Sequence, residues 1–152
     1  MAVRLQAEPF DTGIEIARLT AGRTEVGAAV SFTGICRSDG ENGRISAMTL
    51  EHFAGLAENE LSDIEAEARR RWPLIDSLIV HRYGRLVPGD PIVLVVTLSA
   101  HRQAAFEAAS FLMDYLKTSA PFWKKEETAG GARWVEAKQA DDDARDRWRL
   151  QK

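Results

Sequence analysis

The 152-residue chain reads as an α+β fold in a single domain. Three observations predict this. Residues 92–98 are almost all apolar and β-branched, as a strand covered on both faces requires. Residues 56–72 and 101–117 repeat apolar side chains at helical spacing over four turns or more. Strand-like and helix-like stretches are mixed without strict βαβ alternation, which favours a mixed sheet with two main helices and a C-terminal hairpin.

The elements follow in order. Residues 3–6 form a short edge strand, and Asp11 or Thr12 caps a helix through about Leu19. Residues 27–35 alternate Val30 and Phe32 with Ser31 and Thr33, a strand pattern. A Gly/Asp/Asn-rich loop spans 38–44, and residues 45–53 make the next strand, with Met48 and Leu50 on one face. In the first long helix, Ala57, Leu61, Ile64, Ala68 and Trp72 form the apolar stripe. Glu58, Glu60, Asp63, Glu65, Glu67, Arg69 and Arg70 take its other faces, and Pro73 ends it.

A strand over 77–83 and a turn over 87–90 lead to the central strand. Ser99 caps the second long helix, whose stripe is Phe106, Ala109, Met113 and Leu116, broadened by Ala105, Ala108 and Leu112. Pro121 stops that helix. A hairpin follows, with strands 124–128 and 133–136 around Gly130-Gly131. Residues 1–138 are the domain, and 139–152, with Asp141-Asp142-Asp143, a charged tail in which Trp148 hints at docking.

Composition narrows the function. The chain is 45% hydrophobic and 28% charged, ordinary for a soluble domain, and its net charge of −3 argues against general nucleic-acid binding. The single cysteine, Cys36, excludes an internal disulfide and a cysteine-built metal site. His52, His81 and His101 stand too far apart in sequence to suggest metal ligands, and His52 and His81 read as structural strand residues. No secretory hydrophobic region follows Met1, and no apolar run reaches membrane-spanning length, so the cytoplasm is the expected compartment.

The strongest chemical signal is the stretch around Pro121. Lys117 falls in the last turn of a helix and Lys124 on the segment leaving it, a corner that can aim two ammonium groups into one cavity. The bland alternative is a lysine favoured by the helix dipole and a solvated one beyond it. Desolvation beside Phe122 and Trp123 would lower an amine's pKa and free it for proton transfer or attack on a carbonyl.

His101 and Arg102 follow the buried strand and open a helix, a place suited to an anion or to a plain capping turn. Arg37 can reach the same anion or simply decorate a strand end. Cys36 is either a nucleophile ionised by Arg37 or a small half-buried strand residue. Glu51 and Glu126 are possible proton carriers, and Lys125 by itself reads as a surface charge.

Together these segments resemble the large, catalytic subunit of molybdopterin synthase. The resemblance runs through Phe32-Thr33-Gly34 with Arg37, Thr49-Leu50-Glu51-His52-Phe53 and Ala68-Arg69-Arg70-Arg71-Trp72-Pro73-Leu74. It continues through His81-Arg82-Tyr83-Gly84, Pro88-Gly89-Asp90, Ser99-Ala100-His101-Arg102 and Ala105-Phe106-Glu107-Ala108. It ends with Asp114-Tyr115-Leu116-Lys117, Ala120-Pro121-Phe122-Trp123-Lys124 and Arg133-Trp134-Val135-Glu136. It implies an α/β-hammerhead arrangement and sulfur transfer to cyclic pyranopterin monophosphate (precursor Z), which makes the dithiolene of molybdopterin. The implied donor is a thiocarboxylate on the C-terminal Gly-Gly of a small ubiquitin-like subunit. A homodimer at the core of a heterotetramer is also implied, with no metal or cofactor.

By the same resemblance the active-site lysines fall on Lys117 and Lys124, the anion-binding pair on His101 and Arg102, and the loop arginine on Arg37. The candidate substrate-binding set also takes in Ile35, Cys36, Lys125 and Glu126; some relatives carry lysine where this chain has Ile35. The expectation is that the ammonium groups of Lys117 and Lys124 share one hollow with the guanidinium groups of Arg37 and Arg102. Two other readings stand beside it: a non-catalytic module that binds a ubiquitin-like tail, and a phosphate-ester hydrolase clamped by Arg37, His101 and Arg102. The hydrolase lacks an evident nucleophile or metal site.

Overall fold

The computed structural model describes residues 2–40, 43–118, 122–135 and 139–150. The central strand organises it. β7 (Pro91–Ser99) is buried along most of its length, and its neighbours are β5 (Leu74–Arg82) and β2 (Ala28–Ile35), both antiparallel to it. β1 (Ala2–Gln6) adds to the far side of β5 in parallel, so the first sheet runs β1-β5-β7-β2 with β1 and β2 as edges.

Side-chain alternation along β5 and β7 divides the core in two. Ile79, Val93 and Val95 face the helices, packing with Leu61, Ile64 and Ala68 of α2 (Leu56–Arg71) and with Phe111 and Leu112 of α3 (Arg102–Thr118). Leu78, Val80, Leu94, Val96 and Leu98 face the other way, against Phe10, Val26 and the residues Ile16 and Leu19 of α1 (Thr12–Thr20). Asp11 caps α1, accepting the Ile14 N–H at 2.9 Å.

The remaining strands make a second sheet, β3 (Asp39–Gly40), β4 (Gly43–His52), β8 (Phe122–Thr128) and β9 (Gly131–Val135) in that order, with β6 (Gly84–Leu86) pairing the other side of β4. Cys36, Ile45, Met48, Leu50 and Leu86 fill its core. The expected strand 45–53 therefore begins two residues earlier, because Gly43 and Arg44 pair with Gly40 and Asp39 in a tight hairpin. The hairpin β8–β9 turns at Ala129 and Gly130, one residue earlier than expected, and Gly131 opens β9 opposite Thr128 with a φ of +114° that favours glycine. The corner at 119–121, where Pro121 is expected to stop α3, and Glu136 of the expected last strand lie outside the described residues.

Three expectations about side chains are corrected. Phe106 is 61% exposed, whereas Phe111 is fully buried. Apolar residues cover most of the circumference of α3, so spacing alone left its phase open, and packing against β7 and α2 chose the face carrying Ala105, Ala108, Phe111 and Leu112. Ser99 does not cap α3; it is buried at the end of β7 and donates to the Pro73 carbonyl at 3.1 Å.

Glu65, placed by periodicity on an outer face of α2, is buried and accepts the Ser77 hydroxyl at 2.8 Å. The charged C-terminal stretch forms α4 (Gln139–Asp146) and a 3-10 turn (Arg147–Leu150) that pack on α3. Trp148 enters the core edge-on to Trp72 and Phe111, and its indole N–H donates to Asp114 at 2.6 Å. No described helix is long and apolar enough to cross a membrane.

Burial pushes the Glu65 carboxyl up from 4.5 to about 7, against the lowering effect of the Ser77 hydroxyl and Arg69. The folded state therefore holds this proton more tightly than the unfolded chain does. Stability falls as pH rises from about 4.5 to about 7, and the whole penalty is present above that window. Glu65→Gln removes the titration. Denaturant unfolding at pH 5 and pH 8 should show the wild type losing on the order of 2–3 kcal/mol relative to the variant between the two.

Candidate functional site

A cavity of about 370 Å³ opens where the end of the first sheet meets the second. Its apolar walls come from Phe32 of β2, Met48 and Leu50 of β4, Ile92 and Val93 of β7, and Met113 and Leu116 of α3. Its charged groups are Arg37 from the loop after β2, Lys117 from the last turn of α3, Lys124 and Glu126 from β8, Asp39 from β3 and Asp141 from α4.

Alternation on β8 sorts the lysines. Phe122, Lys124 and Glu126 line the cavity, and Trp123 and Lys125 point to the opposite face of the sheet. There Trp123 meets Phe53 edge-on at 4.7 Å, and the Lys125 ammonium lies 5.5 Å over the Trp134 ring. Lys125 thus does not line the cavity.

Lys117 is exposed and makes no hydrogen bond or ion pair among the described residues. The carbonyl end of α3 favours its positive charge. Lys124 is steadied by Glu126, whose Oε2 lies 3.7 Å from the ammonium nitrogen. Glu126 is almost wholly buried, and its Oε1 has no hydrogen-bond partner among the described residues. A Cβ on Gly40 would stand 2.5 Å from that Oε1 and 2.7 Å from Ile45, so glycine allows the β3–β4 hairpin to close over the carboxylate.

Ile35 and Cys36 both line the cavity. Ile35 is 54% exposed, while Cys36 is buried and clamped by its backbone to the 87–90 turn: its N–H donates to Asp90 at 2.9 Å and its carbonyl accepts from Gly89 at 2.8 Å. Burial, then the nearby Asp90 charge, pushes the Cys36 thiol up, and Lys124 only partly opposes this. Arg37 does not ionise it, contrary to one reading of the adjacent pair. Among the described residues no cluster of three or more His, Cys, Asp or Glu side chains could hold a metal ion.

His101 and Arg102 do not join the cavity of their own chain. They are exposed at the start of α3, and Arg102 stands 15 positions from Lys117, about 22 Å along the helix at 1.5 Å per residue. The expected convergence of four cations is therefore met by Arg37, Lys117 and Lys124 within one chain, and not by Arg102.

His81 and Asp141 are among the cavity residues that escaped sequence reasoning. His81, on β5, looks like any strand histidine, and Asp141 sits in an acidic run whose docking only Trp148 hinted at. Neither carries a local signal of its position, because both are brought in by tertiary packing.

Known proteins resemble this chain in sequence and in fold. A family model described as MoaE protein matches residues 5–119. The molybdopterin synthase catalytic subunit of Mesorhizobium japonicum is 57% identical over 149 residues, covering 97% of this chain and 92% of the relative. A solved molybdopterin biosynthesis MoaE protein from Burkholderia ambifaria superposes with a TM-score of 0.83 at 50% identity, over 97% of this chain and 98% of that one. The molybdopterin synthase structure from Staphylococcus aureus gives 0.80 at 32% identity, over 88% and 96%.

The buried, protonated state of Cys36 has a direct consequence. In the native protein at pH 7.5 the thiol should be alkylated by iodoacetamide far more slowly than after unfolding in guanidinium, as followed by mass spectrometry. Equal rates in the two states would contradict the assignment.

Proposed function

The chain belongs to the MoaE protein family, and from that premise we propose that it is the catalytic subunit of a molybdopterin synthase. It moves sulfur from the thiocarboxylated C-terminus of a small ubiquitin-like subunit to precursor Z, giving the dithiolene of molybdopterin. The observation that carries this reading is the cavity in which Arg37, Lys117 and Lys124 meet over apolar walls. The phosphate of precursor Z and the thiocarboxylate of the donor tail are both anions, and a cluster of cations at the mouth of an apolar cavity attracts both.

Roles follow from the surroundings of each group. Lys117 is the principal catalytic amine: it has no competing partner among the described residues, so its protons are available to the tail carbonyl as water adds there, the C–S bond breaks and the tail is left as a carboxylate. Lys124, held by Glu126, fixes the phosphate or the negative charge that develops during transfer. Ile35 and Cys36 contribute wall, and the sulfur needs no relay through the Cys36 thiol, because the partner brings it. A non-catalytic tail-binding module would need the apolar groove but not two amines at its end.

His101 and Arg102 act in this reading from a second copy. They lie too far along α3 to serve their own cavity, and a homodimer at the centre of a heterotetramer lets each chain lend them to its neighbour. Residues 1–138 form the synthase unit, and the tail over 139–152 adds Asp141 at the cavity. The cytoplasm is the compartment this reading assigns.

Two measurements test these roles. Lys117→Ala should slow dithiolene formation by about 10²–10⁴-fold in the reconstituted reaction, with the fold and the complex with the small subunit intact. Lys117→Ala and Arg102→Ala chains, each impaired alone, should regain activity when mixed and allowed to exchange subunits, because one site of a mixed dimer then has both residues. No gain on mixing would mean that Arg102 does not act across the dimer.

A further inference from the structure

His81 stands near the end of β5, in register with Leu5 of β1 and Val93 of β7. Its Nδ1 lies 2.8 Å from the main-chain oxygen of Arg82. A carbonyl oxygen only accepts, so Nδ1 carries the proton, and in the neutral ring Nε2 keeps its lone pair. The ring lies nearly parallel on Phe122, with centroids 3.9 Å apart and an interplanar angle of 12°, which restrains its rotation. Burial first, and the charges of His52 and Lys117 after it, hold the ring well down, to about 4, against the pull of the Arg82 carbonyl. At neutral pH it is uncharged.

This leaves an unmatched pair. His81 lines the cavity with an acceptor, Nε2, that has no hydrogen-bond partner among the described residues. Lys117 lines the same cavity with three donor protons and no acceptor among the described residues, whereas Lys124 has Glu126 beside it. Lys117 is also close enough for its charge to act on the His81 ring. An exposed lysine on a four-carbon stem samples many rotamers, and a catalytic amine must be held in one.

We propose that Nε2 of His81 accepts one N–H of the Lys117 side chain and so aims this amine at the reacting centre. His81 is then a positioning residue acting through Lys117. The imidazole suits the task because it is neutral: an acidic acceptor would compete with the anions the cavity must attract, and a cationic ring would repel the ammonium group. Stacking on Phe122 and the bond to Arg82 fix the direction of the lone pair in advance.

The consequence for turnover rests on the synthase reading, but the hydrogen bond does not, and the test separates the two. His81→Asn retains an N–H near the Arg82 carbonyl and has nothing at the place of Nε2; His81→Gln restores an acceptor oxygen there. In the reconstituted heterotetramer, His81→Asn should lower the single-turnover rate about ten- to hundredfold with little change in KM for precursor Z or in Tm, and His81→Gln should recover most of the loss. A purely structural role would lower Tm and would not be rescued by glutamine.

Independently of any reaction, ring-nitrogen NMR of the chain should show the His81 Nε2 signal displaced between wild type and Lys117→Met, in the direction of a lost hydrogen bond. If the wild type transfers no sulfur, the synthase reading fails and the NMR comparison still decides the pairing. Wild-type turnover in His81→Asn, or an Nε2 signal identical in wild type and Lys117→Met with and without precursor Z, overturns the proposal.

Discussion

The two sheets come together at the cavity where Phe122 of β8 lies flat on His81 of β5. The rest of the site depends on that contact and on the pairing of β8 with β4 behind it. Leu50 opposite Lys124 and Met48 opposite Glu126 set the register, and the period of two along a strand does the rest. With Phe122 turned inward, Lys124 and Glu126 must follow, and Trp123 and Lys125 must face away. A slip of one residue would offer the cavity an indole and a different lysine. The last turn of α3, anchored by Phe111, Leu112 and Leu116 in the helix-side core, then delivers Lys117 to the same hollow.

The electrostatics of the site are local, and its lining balances three cations with the carboxylates of Asp39, Glu126 and Asp141. The net charge is −3, yet Arg37, Lys117 and Lys124 gather around one opening. The acidic groups there differ in their surroundings. Glu126 is buried beneath the Gly40 hairpin and holds Lys124, and Asp141 reaches the cavity from a helix docked on α3. Burial keeps the Cys36 thiol protonated, so the one sulfur nucleophile in the chain is kept out of the chemistry. This suits a reaction whose sulfur arrives on another protein.

Much of this was legible in the residues because it rests on local physics. The β-branched run at 92–98 could only be a strand covered on both faces, and it is the centre of the first sheet. Asp11 as a cap and Pro88-Gly89 as a turn are short-range signals that the structure bears out, and the hairpin expected around Gly130-Gly131 forms with its turn one residue earlier, at Ala129-Gly130. What failed was decided at long range. Glu65 could not be read as buried, because its partner Ser77 lies on a strand that reaches it only in the folded state. Phe106 and Phe111 were indistinguishable on a helix apolar around most of its girth. The division of the strands into two sheets left no trace in periodicity.

For the site itself, the helix break expected at Pro121 pointed to Lys117 and Lys124 without help from the fold. His101 and Arg102 were grouped with them because a strand-to-helix junction suits an anion; sequence could not show that the full length of α3 separates them from the cavity of their own chain. The central claim is that this cavity accepts sulfur from a protein-borne thiocarboxylate. The most direct measurement is dithiolene formation from precursor Z by the purified chain, with the small subunit supplied either as its C-terminal thiocarboxylate or as the plain carboxylate. The account predicts product with the first and none with the second; product in both, or in neither, would contradict it.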